Sequence, residues 1–281
     1  MKTTLNVSLA TILMALLVIV PSVTNGQNKK TVIKKYLTEL TPNSVNKTLQ
    51  KYRMTAIYTN RDLYGTFIDK TKVTGDYTIG LNNGFVNWNN VSISNSKNYL
   101  DDFPEGIKQE YMENITYVPS PKILDPQTFK DFPENSETVF SRNLIWDMYA
   151  IEEFAWNYTD SLELNKTYRI PKIKGKFDMA DIGTYAHTEI QLCWTGISAI
   201  DNSLFAVIEF RALDNKVEIT MPGVNMKGTE QYWGTVWISL KNKLIGRAVM
   251  YSGTIQELKM DGFDTKFIIK TIRELWVDKI Q

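Results

Sequence analysis

The feature that most constrains this chain is an alternation of apolar and polar residues at a period of two, repeated between turn signals over most of its length. Side chains on an extended strand point alternately to opposite faces, so one apolar phase marks a half-buried β-strand. Tyr52, Met54, Ala56 and Tyr58 share one phase, and Arg53, Thr55 and Thr59 share the other. Residues 64–69 read as a partner strand. Val73, Gly75, Tyr77, Ile79 and Leu81 then alternate with Thr74, Asp76, Thr78 and Gly80. Asn82-Asn83-Gly84 follows, with residues that tolerate the positive φ of a hairpin turn, and 85–94 is the returning strand.

The same signature resumes at residue 167. Asp201-Asn202, Asp214-Asn215, Pro222-Gly223, Lys241-Asn242 and Asp261-Gly262 separate runs rich in Val, Ile, Thr, Phe, Tyr and Trp. Strands are expected at 187–199, 204–212, 216–221, 229–240, 243–258 and 264–277. Long antiparallel strands twist, and a sheet built of them tends to curl.

Two segments break the pattern. Residues 30–40 carry Val32, Ile33, Tyr36, Leu37 and Leu40 at helical spacing. Residues 138–156 form the clearest helix, without Gly or Pro. Phe140, Leu144, Met148, Ile151 and Ala155 line one side, and Ile145, Trp146, Tyr149 and Phe154 widen the apolar surface. A helix this apolar is expected to be buried against the sheet. Between the two β regions, prolines at 104, 119, 121, 126 and 133 punctuate an irregular stretch. Short helical pieces are expected near 105–112 and 126–131.

The expected fold is mainly β (α+β): a long curved antiparallel sheet or half-barrel meander with one buried helix and short extra helices. Two separate sheets with a boundary near 100–135 are the alternative. Residues 1–26 form a leader, 27–100 the N-terminal helix and first strands, and 101–136 the proline-rich connection. Residues 137–281 hold the buried helix and main meander, in one globular unit with 27–100. The layout resembles that of periplasmic carrier proteins built as half-barrels holding a helix, a likeness that no residue motif carries.

The leader reads as a secretory signal peptide. Lys2 gives a positive start, residues 9–20 are apolar and uncharged, and Pro21 and Ser22 end the run. The run is about a dozen residues, whereas crossing a bilayer as a helix takes about 20. Cleavage is expected near Gly26–Gln27, and an exported product, periplasmic or secreted, follows. Gln27 is not a cysteine, so a Cys-anchored lipoprotein is not expected. The rest of the chain offers no second apolar run of spanning length. Lys plus Arg (32) nearly balance Asp plus Glu (31) without blocks of one sign. Nucleic acid is therefore not an expected partner, since phosphate binding needs concentrated positive charge.

Candidate chemistry is sparse. His187 is the one histidine and Cys193 the one cysteine. A zinc site normally takes two or more His or Cys ligands, so no metal is expected. No phosphate loop, dinucleotide fingerprint or nucleophile elbow is present, and no cofactor is implied. On a single strand 187–199, His187 and Cys193 would stand about 20 Å apart, too far for a nucleophile–base pair. Cys193 is expected to be a small buried hydrophobe. Glu189, two residues on, would share a face with His187 and could pair with it. Asp147 lies amid the apolar residues of the buried helix, which calls for a strand Arg or Lys as partner. Glu152 and Glu153 are expected on the helix's solvated stripe.

The aromatic pattern at 231–240 is the most suggestive. Tyr232, Val236, Ile238 and Leu240 share one face; Trp233, Thr235, Trp237 and Ser239 share the other. The two indoles either pack under a covering segment or line a cavity or groove. In the second case, indoles beside small hydroxyl side chains suit a sugar ring or an acyl chain with a polar end. Gly234 between them would admit a ligand or another backbone. The ligand-binding candidates are thus Trp233, Trp237, Thr235, His187 and Glu189, with no catalytic residue assigned. The leading expectation is an exported, non-enzymatic protein holding a lipid-like or sugar-like small molecule in the sheet's concavity. A carboxylate-based hydrolase and an envelope scaffold protein are the alternatives.

Overall fold

A computed structural model describes residues 49–281 except 171–174, 180, 181, 201, 222 and 281. The expected leader and the helix expected at 30–40 lie outside the described residues. Strands β1 (Gln50–Asp62), β2 (Phe67–Ile79), β3 (Val86–Ser96), β4 (Ile107–Lys108) and β5 (Ile115–Tyr117) precede helix α1 (Glu137–Trp156). After it come β6 (Thr167–Ile170), β7 (Gly175–Asp178), β8 (Gly183–His187) and β9 (Glu189–Ile200). The long strands β10 (Ser203–Met221), β11 (Val224–Ser239), β12 (Ile245–Met260) and β13 (Phe267–Ile280) complete the chain.

All belong to one open antiparallel sheet, in the order β4-β3-β2-β1-β13-β12-β11-β10. Beyond that, β10 pairs with β9 along Ser203–Leu213 and with β8 along Lys216–Ile219. β6 and β7 then flank β9 and β8. The last strand, β13, lies inside the sheet, between β1 and β12. The outermost strands are only 2 to 4 residues long. Short edges offer little unpaired backbone to another chain.

The sheet curls around α1, as two contacts require. Glu152 accepts a hydrogen bond from Tyr77 on β2 at 2.8 Å, while Phe154 packs on Phe210 of β10 with ring centroids 4.8 Å apart. Five interstrand steps separate β2 from β10, about 24 Å on a flat sheet. Two residues of a helix rise only about 3 Å. Only a sheet folded over the helix brings both strands to neighbouring helical positions. Its helix-facing phase is the apolar one: Tyr52, Met54, Ala56, Ile208, Val236, Ala248, Leu275 and Val277 are fully buried. At Gly75 on β2 the missing Cβ leaves room for Leu144 of α1 beside Trp88 and Val91.

The proline-rich connection packs on the other side of α1. Met112, Ile123, Phe129 and Phe132 are buried. Trp146 donates through Nε1 to the Ile123 carbonyl at 3.1 Å, and the Tyr111 and Ser141 hydroxyls lie 2.9 Å apart. The short helical pieces expected near 105–112 and 126–131 are 3-10 turns, Glu110–Met112 and Pro126–Phe129, and the segment also holds a third at Pro121–Leu124 and the short strands β4 and β5.

Three strand expectations need correction. β2 is one strand, Phe67–Ile79, where the sequence reads as pieces at 64–69 and 73–81. β10 also runs unbroken through Asp214-Asn215: Asp214 takes φ 55°, and the register shifts between Ala212 and Asn215. The turn signal is spent on a bulge, which moves the buried phase from Ala212 to Asn215 and Val217. The expected strand 187–199 is two strands, β8 and β9, broken at Thr188.

Candidate functional site

Asn143, Asp147, Ala150 and Phe154 recur at three- and four-residue spacing, so they form one stripe of α1. That stripe, with Trp146, Tyr149 and Glu153 beside it, forms one wall of a cavity of about 370 Å³. The opposite wall is the sheet: Tyr185 and His187 of β8, Glu230 and Tyr232 of β11, Met250 of β12 and Arg273 of β13. Phe177, Met179, Ile190, Tyr158, Pro121 and Leu124 complete it.

The walls are mostly aromatic and aliphatic, but one end is charged. Arg273 donates through Nη1 to Asp147 Oδ2 at 3.0 Å, and its Nη2 lies 3.8 Å from Glu230 Oε1. Tyr185 donates its hydroxyl to the other Glu230 oxygen at 2.6 Å. The Arg273 guanidinium also lies over the Tyr58 ring, 5.8 Å from its centroid. Burial works to lower the Arg273 pKa, but Asp147, Tyr58 and Glu230 outweigh it and raise the value above that of a free guanidinium. Burial pushes the Asp147 carboxyl up to about 6, with Glu230 adding to the shift and Arg273 opposing it.

His187 sits at the same end among rings, 4.8 Å from Tyr185, 5.7 Å from Phe177 and 6.0 Å from Tyr232 by centroids. Burial lowers its pKa to about 4, against smaller opposing effects of Glu230 and Asn215, so the imidazole is neutral at neutral pH. Its Nδ1 is buried without a hydrogen-bond partner, and so are both polar atoms of the Asn215 amide. Unsatisfied buried polar atoms are uncommon, and these lie beside the bulge of β10.

The sheet's other face carries a groove of about 530 Å³, lined by Trp233, Thr235, Tyr251, Gln191, Arg211 and Cys193 among others. Trp233 is 46% exposed and stacks on Tyr251 at 6.1 Å. Trp237, half-buried on the same phase, has Val207 and Arg247 as its strand partners.

The five ligand-binding candidates therefore divide between two faces. His187 faces the cavity under the helix. Trp233, Thr235 and Trp237 face away from it, so the indoles do not lie under α1. Glu189 is on the outer side, where it binds Arg169 and Gln191. The pairing of His187 with Glu189 fails because the break at Thr188 ends their common face. His187 and Cys193 do not meet either, the thiol being half-buried in the outer groove with its pKa raised by burial. The expected full burial of Cys193 is thus corrected. So is the solvated Glu152, which is buried. Gly234 serves a backbone: a Cβ there would strike the Val249 carbonyl and the Phe210 ring.

The expected cation for Asp147 is Arg273. The sequence marks Asp147 as needing a strand Arg or Lys but does not single out Arg273 or Tyr185. A signal existed: Arg273 shares its phase with Leu275 and Val277, and Glu230 shares its phase with Tyr232. Opposite charges on two apolar phases mark a buried pair.

Among the described residues no cluster of three or more His, Cys, Asp or Glu could hold a metal ion, and no helix is long and apolar enough to cross a membrane. No protein-family model matches the chain, and no curated protein sequence matches it. Among solved structures, a DUF1329 family protein from Desulfovibrio piger aligns over 89% of this chain and 92% of its own, at 8% identity and a TM-score of 0.14. A likeness of that size carries no argument about fold or function.

Proposed function

We propose that this chain is an exported, non-enzymatic binding protein that holds a small amphipathic molecule between α1 and the sheet. The observation that carries the reading is the cavity itself. Its volume, about 370 Å³, falls in the range of small-molecule sites, and an apolar lining with a few convergent polar groups is their common build. The apolar body of a ligand would lie among Trp146, Phe154, Tyr158 and Met250, and its polar end against Asp147, Arg273, Glu230 and His187. Binding without chemistry is favoured over hydrolysis because one guanidinium engages both Asp147 and Glu230. Neither is then a free partner for general acid–base work. Export rests on the reading of residues 1–26 as a signal peptide, and a mature protein beginning near Gln27 is its direct check.

The test is native mass spectrometry of protein purified gently from its own compartment. The expected result is a bound small molecule that is lost on denaturation and lost in Ala150→Phe, which places a ring inside the cavity. The same adduct should survive Trp233→Ala with Trp237→Ala. An adduct that survives Ala150→Phe but not the double tryptophan variant would move the site to the outer groove. Folded protein that carries no adduct and takes up no added amphiphile would overturn the reading.

A further inference from the structure

The charges that line the cavity also bear on what its ligand carries. Asp147 and Glu153 from α1 and Glu230 from β11 bring three carboxylates to the walls, against Arg273 as the one cationic side chain there. His187 adds no charge at neutral pH. Arg273 is already committed, 3.0 Å from Asp147 and 3.8 Å from Glu230, and its guanidinium lies over Tyr58. An incoming anion would find no cation unshared and would add a fourth negative group to a partly desolvated site. An incoming cation would meet an excess of negative charge.

The rings point the same way. Trp146, Tyr158, Tyr185 and Tyr232 line the cavity, and the face of an aromatic ring carries a negative quadrupole that attracts a desolvated cation. Glu153 is half-buried on the helix side, where it can meet a charged head that still keeps part of its hydration.

We infer that the ligand of this cavity is a small organic cation, an amine or guanidine carried on an apolar body, and not a fatty acid or other anionic amphiphile. The inference rests on the cavity being the binding site, as proposed above. Its chemistry is charge pairing and aromatic contact, with no covalent step.

Isothermal titration of the folded protein near neutral pH with octylamine, octanol and octanoate separates the two claims, since the three share an eight-carbon skeleton and differ in the charge of the head. The expected result is octylamine at least about tenfold tighter than octanoate, with octanol between them, as charge pairing in a low-dielectric site requires. Glu153→Gln and Glu230→Gln should each weaken octylamine by about tenfold and weaken octanol far less. Gln can still accept the Tyr185 hydrogen bond, and an unaltered melting temperature checks that each variant folds. Octanoate binding as tightly as octylamine would overturn the inference and leave the cavity standing as a site. Selectivity that persists with both glutamates replaced would overturn it too, since the charge would then act from elsewhere. Failure of all three probes to bind, or binding unaffected by Ala150→Phe, would overturn the inference together with the reading on which it rests.

Discussion

Glu152 is a carboxylate buried under a curled sheet, and its neighbours do little for its charge. Tyr77 donates one hydrogen bond to it, while the nearby Glu153 works against ionisation. Burial, the largest cause, pushes its pKa up to about 8, and Asp147 is displaced in the same direction, to about 6. Both folded-state values lie above those of an unfolded chain, so the folded protein binds protons that the unfolded one has released. The stability these groups contribute is full below the unfolded carboxylate pKa. It is lost as pH rises through about 6 for Asp147 and about 8 for Glu152. His187, held at about 4 by burial, acts in the opposite sense up to its ordinary value of 6.5, so the melting temperature should fall between about pH 7 and about pH 9, where Glu152 alone of the three still titrates. Glu152→Gln keeps an acceptor for Tyr77 and removes the ionisation, so it should flatten the alkaline part of that fall and raise the melting temperature at the high end. A variant curve parallel to wild type in scanning calorimetry would show that Glu152 does not titrate in this way.

At the scale of elements, what decides the site is how closely strands and helix approach. β11 and β12 pair along most of their lengths, and Gly234 sits where the Val249 carbonyl and the Phe210 ring leave no space for a Cβ. Phe210 in turn is the ring on which Phe154 of α1 rests. Gly234→Ala should cost about 1–3 kcal/mol, as overpacking does in a filled core, and should loosen the end of α1 that lines the cavity. Urea denaturation gives the first quantity. Hydrogen exchange at 150–156 gives the second, with faster exchange than at 138–146 expected. An alanine variant as stable as wild type would mean that the strands can part there at no cost. The helix was legible in the sequence almost to the residue, since its length and unbroken apolar content have no competing period. The strand ends were less so. An Asp-Asn pair at 214–215 can make a turn or a bulge, and only pairing with β11 on one side and β8 and β9 on the other selects the bulge.

Across the whole molecule, the middle of the sheet joins strands distant in sequence. β13 pairs with β1 over Ile269–Ile280 and with β12 over Phe267–Asp278, so the first strands are tied to the rest of the sheet through β13, more than two hundred residues on. Such non-local pairing slows folding. Removing residues 267–281 should do more than trim an end. It would expose the inner edges of β1 and β12 and take Arg273 from Asp147 and Glu230. The truncated chain is expected to aggregate or to unfold without cooperativity, as read by size-exclusion chromatography and circular dichroism. A soluble, cooperatively melting product would show that the two flanking strand groups fold as separate units.

The sequence by itself determined the antiparallel β class, the single long helix and the buried phase of most strands. Those depend on local periodicity, which a residue carries wherever its partners come from. It also marked Asp147 as a charge in need of a partner. Only the tertiary structure decided that this partner is Arg273, that His187 faces a cavity while Trp233 and Trp237 face away from it, and that β10 runs on through its turn signal. Those outcomes depend on which strands become neighbours and on how far the sheet curls. Both are set by contacts between separate elements, from β10 with β8, β9 and β11 to β1 with β13 and Asp147 with Arg273, and no short-range pattern records them.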